Sequence, residues 1–223
     1  MDIKTPQLWN VKAADELLNV SMLLPYPDDT PFGNLQRAQV EFISRIDYIN
    51  SRLVCLYQTY ARGAHVQGFV PQKIQWLRLE IEEVVYWLRK SVDTLICLTS
   101  VLASHRAHGD YPKRIPVDCI GAALDRLTRA RIPLAVEVFR GHRDALWILN
   151  AISNTYKHHF VNYETVSIIG ADGPVAFYVT MERNDTQNEP ELKGVRVSEL
   201  VESCSGIFKD VRERHHDWLV DRE

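Results

Sequence analysis

The apolar positions of this chain fall mostly at helical spacing. Leu35, Val40, Phe42, Ile43, Ile46, Ile49, Leu53, Leu56 and Tyr57 line one side of a helix over 35–62, which Gly63, Gly68 and Pro71 bring to an end. Ile74, Leu77, Ile81, Val84, Leu88, Leu95, Leu98 and Leu102 keep a heptad over 72–106, with Ser91 as its gap. A helix of that length extends roughly 50 Å. Val85, Val92 and Ile96 widen its stripe, which predicts a helix packed among several others. The short connection makes it the antiparallel partner of the helix before it. Further helices are predicted at 6–20, at 117–130, and at 134–160 with a bend at Gly141 and Pro133 near its start. The segment from Leu24 to Pro31 is a Pro/Asp connector.

Beyond residue 160 the pattern alternates. Thr165–Ile169 and Pro174–Met181 read as a β-hairpin around Gly170-Ala171-Asp172-Gly173, with Val175, Phe177, Val179 and Met181 alternating with Ala176, Tyr178 and Thr180. Val195 and Val197 offer a third short strand. Ser198 is a good N-cap for a last helix to about Leu219, with Glu199 and Glu202 in its first turn. The expected fold is mainly α: an up-and-down helical bundle with long antiparallel helices, a small β-hairpin or three-stranded sheet, and a final helix. One helical domain is expected over 1–223, with an N-terminal helix and linker at 1–31, a bundle core at 35–160, a hairpin insertion at 161–198 and a C-terminal helix at 199–221.

Composition narrows the function classes. The 223 residues are 46% hydrophobic and 25% charged, enough for a core that needs neither disulfide nor metal. A net charge of -3 argues against a sequence-specific duplex DNA binder, though not against a local phosphate site. Cys55, Cys97, Cys119 and Cys204 are far apart in sequence, and Cys55 and Cys97 sit in apolar helical runs. They read as buried thiols of a reducing compartment. Neither a signal peptide nor an apolar run long enough for a membrane span is legible, so no membrane contact and a cytoplasmic location are expected.

The candidate chemistry lies on two helix faces. Arg89 borders the apolar stripe of the long helix, and Asp93 follows one turn later as its natural partner. In the segment 143–161, Ala145, Ile148, Leu149, Ile152 and Tyr156 share one face. Arg143, Asn150, Asn154, Lys157 and His158 share the other, together with Leu146, Trp147 and Val161. That mixture reads as a half-buried polar seam. The asparagines bridge donors and acceptors, Lys157 brings charge, and His158 titrates near neutrality. The candidate catalytic set is His158, Lys157, Asn154, Arg89 and Asp93, and the candidate binding set is Asn150, Arg143 and Trp147. The plainer alternatives are a structural Arg89–Asp93 ion pair and a solvated polar face. His105, His108 and Asp110 look only faintly like metal ligands, and His215 and His216 read as helix-dipole partners on a solvated face. No metal and no cofactor are expected.

Two motifs carry a resemblance. Leu88-Arg89-Lys90-Ser91-Val92-Asp93 resembles an L-R-x-x-L-D helix. Leu146-Trp147-Ile148-Leu149-Asn150 through Asn154, Lys157 and His158 resembles an L-W-x-L-N-x-x-x-N-x-x-K-H motif. Both occur in this order in uncharacterised bacterial helical proteins. The second also resembles, more loosely, the R-N-x-x-x-H stretch of HEPN domains, with Asn154 and His158 at the Asn and His positions and Ser153 where the arginine stands. Arg89 or Arg143 would then supply the guanidinium in space. The resemblance implies a helical homodimer with RNA or a nucleotide as partner, and metal-independent ribonuclease chemistry with His158 as acid or base. Two alternatives remain. One is a non-catalytic module that uses exposed surfaces such as Phe177 and Tyr178; the other is a small-ligand bundle with a cavity beside Trp147.

Overall fold

A computed structural model describes residues 4–9, 22–64, 71–129, 133–158, 173–180 and 191–220, with the backbone alone at 63, 64, 71–74, 158 and 180. The described part is mainly helical: α1 Leu35–Ala64, α2 Pro71–His108, α3 Ile120–Leu127, α4 Leu134–Glu137, α5 Arg143–His158 and α6 Val197–Leu219, with strands β1 Val175–Thr180 and β2 Glu191–Arg196.

α2 is the central helix and packs against α1, α3, α4, α5 and α6. This is why its stripe is wide: Val84, Val85, Leu88, Val92, Leu95 and Ile96 are all buried. Ser91, the gap in the heptad, is also fully buried and donates its hydroxyl to the Trp87 carbonyl at 2.8 Å. α1 runs antiparallel to α2, as their contacts show: Arg45 reaches Thr94 (3.0 Å), Arg52 pairs with Glu83 (2.9 Å) and Thr59 reaches Glu80 (3.2 Å). Asn34 caps α1 by accepting the Arg37 N–H at 2.7 Å. The Pro/Asp connector enters α1 through Gly33, whose φ of 87° suits glycine.

Several elements differ from expectation. The helix predicted at 6–20 does not begin there. The Leu8 N–H donates to Asn50 Oδ1 (2.7 Å) and the Trp9 N–H to Ser205 Oγ (2.9 Å), so this backbone is tied to side chains of α1 and α6. Residues 10–21 lie outside the described residues. The bend at Gly141 is a full break, with a 3-10 turn at Arg140–His142 between α4 and α5. Buried Phe139 holds it against the core.

β1 pairs with β2, antiparallel, from Val175↔Arg196 to Thr180↔Glu191. The hairpin predicted at 165–169 and 170–172 lies outside the described residues, and the described sheet has two strands. Ala176 and Tyr178 are buried, while Val175, Phe177 and Val179 are half-buried. The exposed surface expected at Phe177 and Tyr178 is therefore not there: Tyr178 is buried and Phe177 half-buried. Val197 starts α6 instead of belonging to a strand. Its N–H still extends the ladder to the Pro174 carbonyl (2.9 Å), while its side chain is buried with the helix. The cap residue is correspondingly Arg196, two before Ser198, with the Glu199 carboxylate accepting the Arg196 N–H at 3.4 Å.

Candidate functional site

α2 crosses α5 where Arg89 and Asn154 meet. Arg89 sits at the edge of the buried stripe, 14% exposed, and its Nε lies 3.6 Å from Asp93 Oδ2. Its Nη1 donates to Asn154 Oδ1 at 3.2 Å. The other Asp93 oxygen, Oδ1, accepts the N–H of Ile120, the first residue of α3, at 2.8 Å. The cap residue Cys119 makes no side-chain cap bond, so a carboxylate from another helix performs that task. Arg89, Asp93 and Asn154 thus tie three helices together. Sequence spacing gave the Arg89–Asp93 pair; the link to Ile120 requires the tertiary packing of α3.

Lys157 lies one turn beyond Asn154 on α5 and is exposed. Partial burial lowers its pKa below the ordinary lysine value, nearby Arg89 lowers it further, and Asp93 opposes both. The ammonium therefore shares the electrostatic environment of the network. Asn150 is half-buried on the same side, and Arg143 is exposed at the start of the helix. Trp147 is 47% exposed and packs edge-on against Tyr178 of β1, with ring centroids 5.9 Å apart. The structure thus brings together Arg89, Asp93 and Asn154 by direct contact and Lys157 by its field. Arg143 and Trp147 lie two or more turns away toward the other end of α5. The backbone of His158 ends α5, and its side chain lies outside the described residues. Leu146 belongs to the core, fully buried, rather than to the polar seam, because the buried face of α5 runs through Leu146, Leu149, Ile152 and Ser153.

Other polar groups depart from the sequence reading. His215 is fully buried, whereas His216 is exposed as expected. Thr99 donates its hydroxyl proton to the Leu95 carbonyl (2.7 Å), so its oxygen accepts from His215 Nε2–H (2.8 Å). His215 Nδ1 is then left to accept the Tyr26 O–H. Burial pushes the histidine down to about 3 and the Tyr26 phenol upward. The signal was available in sequence: His215 continues the α6 stripe of Val211 and Trp218. A cavity of about 20 Å³ touches Tyr26, Gln39, Arg212 and His215, room for about one water rather than a small ligand. His142 Nε2 lies 2.8 Å from Asp210 Oδ2, joining the 3-10 turn to α6. His105 stacks on Tyr111 at 4.5 Å. Cys55 is exposed rather than buried, and Cys97 is partly accessible; an apolar run fixes a helix face only to within a neighbouring position.

No helix among the described residues is long and apolar enough to cross a membrane. No protein-family model, curated protein or solved structure matches the chain.

Proposed function

We propose that this is a HEPN-like helical protein that binds a phosphate-bearing ligand, RNA or a nucleotide, at the Lys157 end of α5. Arg89, Asp93 and Asn154 form the brace beneath that site. The observation that carries this reading is an excess of positive charge where the half-buried Arg89 and the exposed Lys157 meet. One carboxylate, Asp93, serves both Arg89 and the positive end of α3, and Lys157 is left in an environment that disfavours its proton. A phosphate oxygen beside Lys157 would neutralise that excess. His158 follows directly in sequence. In the catalytic form of this reading it exchanges the proton of a ribose 2′-hydroxyl.

The test is fluorescence anisotropy with a labelled single-stranded RNA. Lys157→Ala is expected to weaken binding about tenfold and to flatten the salt dependence. His158→Ala is expected to leave binding in place and remove cleavage. RNA affinity unchanged in Lys157→Ala would sink the reading.

A second reading has its own support. The Asp93–Ile120 bond does a structural task that requires no ligand. A non-catalytic helical module would show the same network with no RNA affinity in any variant.

A further inference from the structure

Two of the four cysteines lie where α3 starts against α2. Cys97 is one helical turn beyond Asp93, and Cys119 is the residue before Ile120. The two residues that flank Cys119 are both held to this strip of α2. The Asp118 carbonyl accepts the Cys97 thiol at 3.2 Å, and the Ile120 N–H donates to Asp93 at 2.8 Å. A carbonyl oxygen and the following Cα are roughly 2.8 Å apart in a trans peptide, which places Cys97 Sγ within about 6 Å of the Cys119 Cα. Both side chains are partly solvent-accessible, and the Cys119 thiol makes no cap bond that would hold it in place. A rotation of Cys119 about χ1 can therefore carry its sulfur toward that of Cys97.

We propose that Cys97 and Cys119 form an oxidisable pair, a modification site in which a peroxide converts the α2–α3 contact into a disulfide. Cys119 is the sulfur oxidised first. Cys97 keeps its proton, because burial pushes its thiol up to about 11 and the acidic Asp118 and Asp93 push in the same direction. The Cys119 thiolate attacks hydrogen peroxide, taking one oxygen to become a sulfenic acid and releasing hydroxide. The Cys97 sulfur then attacks the sulfenic sulfur. The S–S bond forms, the S–O bond breaks, and the departing hydroxide leaves as water with the Cys97 proton. The product anchors the start of α3 covalently to the turn of α2 that carries Asp93. This proposal is independent of what the Arg89 cluster binds.

The experiment uses the full chain with Cys55→Ser, which removes the exposed thiol most prone to bridging between molecules. The protein is treated with hydrogen peroxide under native conditions, the remaining thiols are alkylated, and the digest is read by mass spectrometry without reduction. A peptide pair joined through Cys97 and Cys119 is expected, with a rise of several degrees in melting temperature that dithiothreitol reverses. Adding Cys97→Ser is expected to stop Cys119 at the sulfenic acid, which a cyclic 1,3-dione captures. Recovery of both cysteines alkylated after peroxide treatment of the folded protein overturns the pair. Capture of sulfenic acid on Cys97 in a Cys119→Ser background, with none captured on Cys119 in the Cys97→Ser background, overturns the order of attack.

Discussion

Among the described residues, two polar clusters of similar size are built against the central helix α2, and they solve opposite problems. At one, Arg89 and Asp93 form an ion pair that water still reaches, 14% and 22% exposed, with the neutral amide of Asn154 beside it. At the other, Tyr26, His215 and Thr99 are buried and form a directional chain that ends on the Leu95 carbonyl. An imidazole in that position must stay neutral, since ionising it would place a charge in an apolar core. The contrast teaches where chemistry can occur. A group that must change charge or meet a ligand belongs in the first cluster, and the second is a specifying element of the fold.

The largest expected effect comes from acid. The folded-state value of His215 lies near 3, below the 6.5 of an unfolded histidine. Between those values the unfolded chain binds a proton that the folded chain does not. Stability is therefore full above 6.5 and falls as pH drops toward 3, with a limiting slope of about 1.4 kcal/mol per pH unit. The whole window is worth on the order of 5 kcal/mol. Urea unfolding from pH 7 to pH 4 should show this slope in the native chain beyond that of His215→Leu, in which the carboxylates still titrate. Parallel curves for the two proteins would mean that the cluster is open to water, and the contrast would collapse.

Asp93→Ala is expected to be the next largest. It removes the partner of Arg89 and leaves the Ile120 N–H without its acceptor, at a cost of about 2–3 kcal/mol, less than for a fully buried pair because both side chains reach solvent. Asp93→Asn keeps an acceptor for Ile120 and should cost about 1 kcal/mol. Equal losses in the two variants, measured by thermal melts, would assign the effect to the ion pair alone and not to the start of α3.

Thr99→Val sharpens the comparison from the buried side. It keeps the shape of the side chain and removes the acceptor of His215 Nε2–H, leaving a buried donor unpaired at about 1–2 kcal/mol. The same change at a solvated hydroxyl would be nearly silent.

The sequence made the helices legible because long, regular apolar stripes dominate them. The central position of α2 followed from the width of its stripe, and the antiparallel α1–α2 pair from the short connection. The α5 seam was only half legible. A wheel orders side chains around an axis, but the direction of burial depends on which neighbour lies where: α5 packs against α2, α3 and β1, and Leu146 is buried. β1 pairs with β2, the strand that follows it, and alternation within one strand does not encode which neighbour it takes. His215 was misread because composition at a helix end suggested solvent, although its spacing with Val211 and Trp218 placed it on the buried stripe. Asp93 as a cap for α3 had no local signal: donor and acceptor are 27 positions apart.

The smallest expected effect separates stability from function at the first cluster. Lys157 is exposed, and its proton is disfavoured by partial burial and by Arg89. Replacing it with Met removes a cation that the fold gains little from, and keeps the aliphatic stem. The change in unfolding free energy should stay within about 0.5 kcal/mol, with a slight gain rather than a loss. The sign follows from the lowered pKa: a group whose charged form the folded state disfavours contributes more when neutral. A loss well above that range in a thermal melt would make Lys157 part of the brace. A stable Lys157→Met variant with weakened RNA affinity would instead assign Arg89, Asp93 and Asn154 to the brace and Lys157 to the ligand, the division of labour that the two clusters display across the molecule as a whole.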